Sequence, residues 1–436
     1  MTTRSVRQVL LAFMLGAGCA VSQTQQWPPQ QQPAGRDDAM LARGAYLSKI
    51  GGCANCHTMP GHGIPFAGGR PVPSPLGPII SSNITPDPVR GIGRYSFEDF
   101  ERVMREGTAP GPKHLYPAMP YTAYAKADDK DLRALYHYLM HGVQPSDLAP
   151  PPTRLSFPFD QRWALALWKA IFVPRAPYAP RPARTAEWNR GAYLVQSFGH
   201  CGACHTPRGV AYQERGTDES SSRFLTGMVT DDWFAANLTG DPGAGLGRFD
   251  AATIARYLRT GHAEGLAAAG SMAEEIEQSL QYLSEPDASA IATYLKSLPA
   301  QRLEGSWRPA GPAERTAAQG NYTGDVPSTG ANVCRAFCSR CHQPDGQGVR
   351  ETFPRLAGNP SVLSKDTTTL VRIVLQGGRA PATATGPAPQ AMPGFADTLS
   401  DVQIAQVLGY VRQAWGNDAR PVTAGDVAKL RKPLAR

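Results

Sequence analysis

Three apolar stripes with helical spacing recur along the chain. Leu132, Leu135, Tyr136 and Leu139 fall at i, i+3, i+4 and i+7, and Ile291, Tyr294, Leu295 and Leu298 repeat the pattern. Ile404, Val407, Leu408 and Val411 do so a third time. That period predicts an amphipathic helix with one face turned to a core. Well upstream of the first two stripes, Arg43-Gly-Ala-Tyr-Leu47 and Arg190-Gly-Ala-Tyr-Leu194 predict helices whose small residues let a second helix approach closely. Shorter helical patterns end at Gly107 and run from Leu370 to Leu375.

Other apolar runs read differently. Arg4 and Arg7 precede the run from Val9 to Leu15, followed by small residues through Cys19 and Ala20, which is the pattern of a secretory signal over residues 1–20. The run is too short to span a bilayer. Cleavage after Ala20 is the plain reading and lipidation at Cys19 the sharper one; both place the mature chain in the periplasm. Beyond the signal no apolar run is long enough for a membrane helix. The run from Arg162 to Phe172 sets Trp163 and Trp168 on an aliphatic segment, and tryptophan favours sites with one wet and one apolar end. This segment could contact a partner subunit or a membrane surface, or pack on its own domain; the sequence leaves both open.

The stripes close three repeats. Asn83-Ile-Thr85 and Gly91-Ile-Gly-Arg94 in the first return as Asn237-Leu-Thr239 and Gly245-Leu-Gly-Arg248 in the second, a mark of internal duplication. The third, with Gly320-Asn-Tyr322, is more divergent. The expected organisation is a Gln/Pro-rich tether over 21–36, domains over 37–148, 186–299 and 326–418, Pro-containing linkers over 149–185 and 300–325, and a polar tail over 419–436. The glycines from Gly240 to Gly247 have no strand before them, which excludes a nucleotide-binding loop.

Composition sharpens this picture. With 40 prolines and 44 glycines but only 8% aromatic residues, the chain reads as small modules with long loops, where a large cofactor supplies much of the buried apolar surface. The net charge of +8 favours an anionic membrane face or an acidic partner. A nucleic-acid partner is disfavoured, because no basic run has interleaved aromatics.

Six of the eight cysteines fall into one constellation. Cys53-Ala-Asn-Cys-His57, Cys201-Gly-Ala-Cys-His205 and Cys338-Ser-Arg-Cys-His342 each place two thiols two residues apart and an imidazole next to the second. This is the attachment signal of a c-type haem. Cys53 and Cys56, Cys201 and Cys204, and Cys338 and Cys341 would carry the porphyrins on thioether bonds, with His57, His205 and His342 as proximal iron ligands. Zinc would need a second Cys/His pair in each module, and none is spaced for it. Met119, Met272 and Met392 fall at corresponding depths and are the expected distal ligands; Pro120 and Pro393 stiffen two of them. His114 and His262 are the rivals. Pro60, Pro207 and Pro344 follow the three motifs; a carbonyl there could accept the proximal imidazole N–H, or the prolines could simply form turns. His62, His137, His141 and His200 are expected as solvent or core histidines. Cys334 reads as a small buried residue or a free thiol beside the third motif.

Three iron centres closed on both sides would relay electrons. A haem peroxidase needs an open sixth position, which three candidate methionines argue against, and a haem sensor needs a signalling module for which there is no room.

Tyr116-Pro-Ala-Met-Pro-Tyr121, Ser271-Met-Ala-Glu274, Ser279-Leu-Gln-Tyr-Leu283 and the three haem motifs closely resemble the trihaem cytochrome c subunits of bacterial membrane-bound alcohol, gluconate, sorbitol and fructose dehydrogenases. The resemblance implies an all-α fold of three tandem class I cytochrome c domains carrying three covalent haem c groups. It also implies a catalytic dehydrogenase partner, with the FAD type favoured, PQQ and molybdenum types as the alternatives, and room for a small third subunit. Ubiquinone or a terminal oxidase is the implied acceptor. Several members end in a membrane helix that has no counterpart here, which turns attention to lipidation at Cys19 or docking through a partner as the means of attachment to the outer face of the cytoplasmic membrane.

Overall fold

The computed structural model describes residues 35–61, 63–111, 113–309, 311 and 329–432. The signal segment with Cys19, most of the tether, His62 and Gly320-Asn-Tyr322 lie outside the described residues.

In the first module the helices are α1 (Arg36–Ile50), α2 (Cys53–His57), α3 (Phe97–Glu106), α4 (Tyr121–Tyr124) and α5 (Asp129–His141). Helix α6 (Ala164–Phe172) follows in the linker. The second module repeats the plan with α7 (Ala186–Gln196), α8 (Gly202–His205), α9 (Ala251–Thr260), α10 (Gly270–Gln278) and α11 (Glu285–Lys296). The third has α12 (Thr329–Phe337), α13 (Ser339–His342), α14 (Pro360–Leu363), α15 (Thr368–Gln376), α16 (Asp401–Val411) and α17 (Ala424–Arg431). Among the described residues the strands are only two or three residues long and pair antiparallel in twos.

Local chemistry sets the helix ends. The Ser96 side chain accepts from the Asp99 amide to start α3, and Gly107 ends it in the left-handed conformation. Asp250 and Gly261 do the same for α9. The stripes lie on the faces their period predicts. Leu132, Leu135 and Leu139 in α5, Ile291, Tyr294 and Leu295 in α11, and all four stripe residues of α16 are buried, while Tyr136 is half-buried with its hydroxyl on the Tyr95 carbonyl.

In each module the first and last long helices cross at a glycine. A Cβ on Gly44 would sit 2.0 Å from the Ala134 carbonyl oxygen, one on Gly191 1.9 Å from that of Ala290, and one on Gly330 2.2 Å from that of Gln406. No side chain fits, so the crossing of α1 with α5, α7 with α11 and α12 with α16 depends on glycine at these positions.

The first two modules share one hydrophobic core, and the third has its own. An exchange of hydrogen bonds with pseudo-twofold character locks the shared pair. Arg43 holds Asp131 through two bonds of 2.8 and 2.7 Å, and Arg190 holds Asp287 through two of 2.7 and 2.8 Å. Across the seam, Tyr46 of module one donates to Asp287 (2.6 Å) and Tyr193 of module two donates to Asp131 (2.8 Å).

Residues 419–432, expected as part of a polar tail, are folded. Val422 and Val427 are buried in the third core, and Arg431 bonds Asp401 and the carbonyls of Leu399 and Ala396. Two well-placed valines anchor α17 while its charged residues cover the outside, too sparse a pattern to announce a helix in sequence. Among the described residues no helix is long and apolar enough to cross a membrane.

Candidate functional site

Each Cys-x-x-Cys-His motif forms one short helical turn directly after the first long helix of its module. The chain then returns over it in the same way three times. The backbone amides of Gly68, Gly227 and Gly348 donate to the carbonyls of His57, His205 and His342. In turn the imidazole Nδ1 of His57 lies 2.7 Å from the Ser82 carbonyl, that of His205 2.7 Å from the Ala236 carbonyl and that of His342 2.7 Å from the Pro354 carbonyl. A carbonyl can only accept, so Nδ1 carries the proton and Nε2 the lone pair. Burial lowers the pKa of all three imidazoles, which keeps them neutral. These are the properties of an iron ligand held in one tautomer.

The acceptors are not the prolines expected from the sequence. The Pro207 carbonyl accepts the Arg215 amide and that of Pro344 the Trp415 indole. The imidazoles are instead met by the returning loop, and in two modules the acceptor is the residue before the Asn-x-Thr repeat. There Asn83 binds the Thr85 amide and hydroxyl with its carbonyl oxygen and reaches the Ser146 and Leu148 carbonyls with its amide. Asn237 makes the matching contacts to Thr239 and Gln301. The repeated asparagine therefore marks the acceptor, a link that only the folded loop reveals.

The three motifs open into one continuous cavity of about 1460 Å³, lined by His57, His205 and His342 together with Met119, Met272 and Met392. A pocket for one small ligand takes about 300–1,000 Å³, so this space suits more than one large group. Met119 sits in the turn before Pro120, Met272 in the first turn of α10 and Met392 in a strand paired with Gly378. The three methionines thus reach one cavity from three different local structures. His114 and His262 are not among its lining residues. His114 pairs with Thr108 in a hairpin, with its pKa lowered by burial and by the Lys169 charge; His262 is buried with Nδ1 3.1 Å from the Thr260 carbonyl.

Burial pushes the thiol pKa of Cys53 up to about 11 and those of Cys201 and Cys204 up to about 12, so they are neutral at ordinary pH. Cys334 is buried, and its hydrogen bond with Cys338, together with burial, raises its pKa. His200, expected as a bystander, lines the cavity, with Nε2 3.3 Å from the Gly51 carbonyl across the seam. Also at that seam, Asn55 in the first motif donates to Ser279 (2.8 Å) and Arg70 pairs with Glu274 (2.8 Å). The second and third modules meet where Thr369 bonds both the amide and the carbonyl of Phe234 and where Arg379 pairs with Glu277. Module two therefore contacts both module one and module three.

An all-α fold with Cys-x-x-Cys-His turns opening on a largely apolar cavity defines a c-type cytochrome. The Cytochrome c family model matches residues 41–142 and 328–415, and such domains hold covalently bound haem c. The chain is 42% identical over 437 residues to the cytochrome c subunit of alcohol dehydrogenase (quinone) from Gluconacetobacter polyoxogenes, covering 96% of this chain and 88% of that one. It is 42% identical over 402 residues to the gluconate 2-dehydrogenase cytochrome c subunit of Pantoea cypripedii, covering 91% and 90%. With the fructose dehydrogenase cytochrome subunit of Gluconobacter japonicus it shares 37% over 431 residues, covering 94% and 87%. The chain belongs to the family of cytochrome c subunits of alcohol, gluconate and fructose dehydrogenases, and its work is electron transfer.

Proposed function

We propose that the chain is a trihaem relay. Cys53 and Cys56, Cys201 and Cys204, and Cys338 and Cys341 each hold one haem c, with His57/Met119, His205/Met272 and His342/Met392 as the axial pairs. The haem irons supply one-electron chemistry, and paired His and Met ligands favour high potentials and keep substrate off the metal. The protein holds each imidazole in the Nδ1–H tautomer, lines a shared and largely apolar cavity, and keeps the first two sites at a fixed separation through the tyrosine exchange. The catalytic partner is a membrane-associated periplasmic dehydrogenase of the flavin type, with PQQ or molybdenum enzymes as the alternatives. Electrons leave to ubiquinone or the respiratory chain. The observation that carries this reading is the threefold His Nδ1–carbonyl bond facing one cavity that also receives three methionines.

The test is to count covalent haems in the purified chain and to replace the methionines singly. Three haems are expected, and Met119→Ala, Met272→Ala and Met392→Ala should each convert one third of the low-spin signal to a high-spin form that binds carbon monoxide. An unchanged low-spin spectrum would remove that methionine from the ligand set. The isolated chain should oxidise no alcohol or sugar, and activity should depend on the copurifying subunit.

A further inference from the structure

Helix α6 is built inside out. Its charged residue, Lys169, is buried, with Nζ donating to the Gly107 carbonyl (3.0 Å) and to the Thr108 hydroxyl (2.6 Å). The indole of Trp168 also faces inward, stacked edge-on against Tyr121 and bonded to the Ala211 carbonyl (2.8 Å) across the seam. What the helix shows to solvent is Trp163 at its N-cap, then Ala164, Ala166, Leu167, Ala170 and Ile171, with Trp163 74%, Leu167 70% and Ile171 63% exposed. A helix on a water-facing surface places its polar residues outward, and this one reserves its solvent face for apolar side chains. Just before it, Phe157 (79% exposed) and Phe159 extend the same strap, and the Phe159 carbonyl accepts the Tyr116 hydroxyl, which fixes the strap to module one. The patch is therefore held rigidly and projects outward.

We propose that this strap is a membrane-docking face that seats modules one and two on anionic phospholipid. Two observations select lipid over a protein partner. A protein interface surrounds its apolar core with a polar rim, whereas the outer face of α6 offers no charged or hydrogen-bonding side chain except the Trp163 indole, a group suited to the headgroup boundary. The flanks are also basic. Leaving aside the buried Lys169, residues 151–184 contain five Arg against the single acid Asp160, and Arg154 and Arg175 stand exposed at either side of the apolar surface. Apolar burial combined with basic flanks is the physics of an interfacial helix on an anionic leaflet. The proposal rests on the relay reading, since a lipid-dissolved acceptor requires the cytochrome to lie against the bilayer.

The test is flotation of the purified full-length haem-loaded chain with phosphatidylcholine vesicles, with and without phosphatidylglycerol. A Cys19→Ser background removes any acyl anchor. Haem absorbance follows the protein. The parent should float with the anionic vesicles, and Trp163→Ser/Leu167→Gln/Ile171→Gln should reduce the bound fraction at least about tenfold. Arg154→Gln/Arg175→Gln should weaken binding to the anionic vesicles and leave that to the neutral ones unchanged. Equal flotation of the triple variant, or a parent that never floats, overturns the proposal. A triple variant that loses its copurifying dehydrogenase subunit but still floats would also overturn it, by assigning the face to a protein partner. The three replaced side chains are exposed, so haem content and the low-spin spectrum should stay unchanged in every variant. A missing haem would count against the relay instead.

Discussion

Removing the exchanged tyrosine hydroxyls tests whether modules one and two are one mechanical unit. Tyr46 donates to Asp287 at 2.6 Å and Tyr193 to Asp131 at 2.8 Å, each bond short and directed at a carboxylate already held by an arginine. A hydrogen bond to a charged acceptor contributes about 1.5–3 kcal/mol. In Tyr46→Phe or Tyr193→Phe the carboxylate keeps both arginine bonds, so the cost should fall near the low end, about 1.5 kcal/mol. At about 2–4 °C per kcal/mol for a unit of this size, each single variant should melt about 3–6 °C lower. The double variant should fall further than either. The assay is Soret circular dichroism on heating, which follows the haem environments. The third module has a separate core, so its transition should not move. Single variants that shift by less than about 1 °C, or a third-module transition that shifts equally, would refute the claim that the exchange joins the modules.

Two further perturbations follow from the same geometry. Gly191→Ala forces a Cβ to within 1.9 Å of the Ala290 carbonyl oxygen and should cost about 3 kcal/mol and lower haem content in module two. Gly409→Ala, in the interior of α16 with only an ordinary 3.7 Å contact to Pro421, should instead stabilise the third module by about 0.5–1 kcal/mol in thermal melts. Burial works to raise the pKa of Asp287, but hydrogen bonds from Arg190 and Tyr46 and the Arg190 and Arg43 charges outweigh it and hold the carboxyl below its usual range. A depressed carboxylate stabilises the fold above its unfolded pKa and loses that contribution as pH falls through the folded value. The melting transition of modules one and two should therefore drop as pH falls below the ordinary carboxylate range, and Asp287→Asn should flatten that slope.

Much of the site was legible because its chemistry is local. Two thiols, an imidazole and a fixed spacing form one helical turn, and the turn exists wherever the motif is written. The stripes of α5, α11 and α16 were legible for a similar reason, since the 3.6-residue period is a property of each helix alone. The duplication was visible in matched residues, and so were Gly44 and Gly191 as small residues awaiting a second helix. Cys334 was read as buried and is. The imidazole acceptors were misplaced onto nearby prolines because proximity in sequence was the only proximity available. The tail was read as polar because α17 needs only Val422 and Val427 at the third core to be held.

The amino-acid sequence alone determined what each repeat is, since helix period, caps, crossing glycines and attachment motif all act within or between segments whose pairing the repeat itself discloses. Tertiary structure alone decided how the repeats stand together. Nothing in the order of residues foretells that Tyr46 and Tyr193 trade partners, that two modules merge their cores while the third does not, or that α6 turns Lys169 inward and its apolar side out. Each of these depends on which surfaces meet across distances of tens to hundreds of residues, and there the energy of contact rather than the local pattern makes the choice.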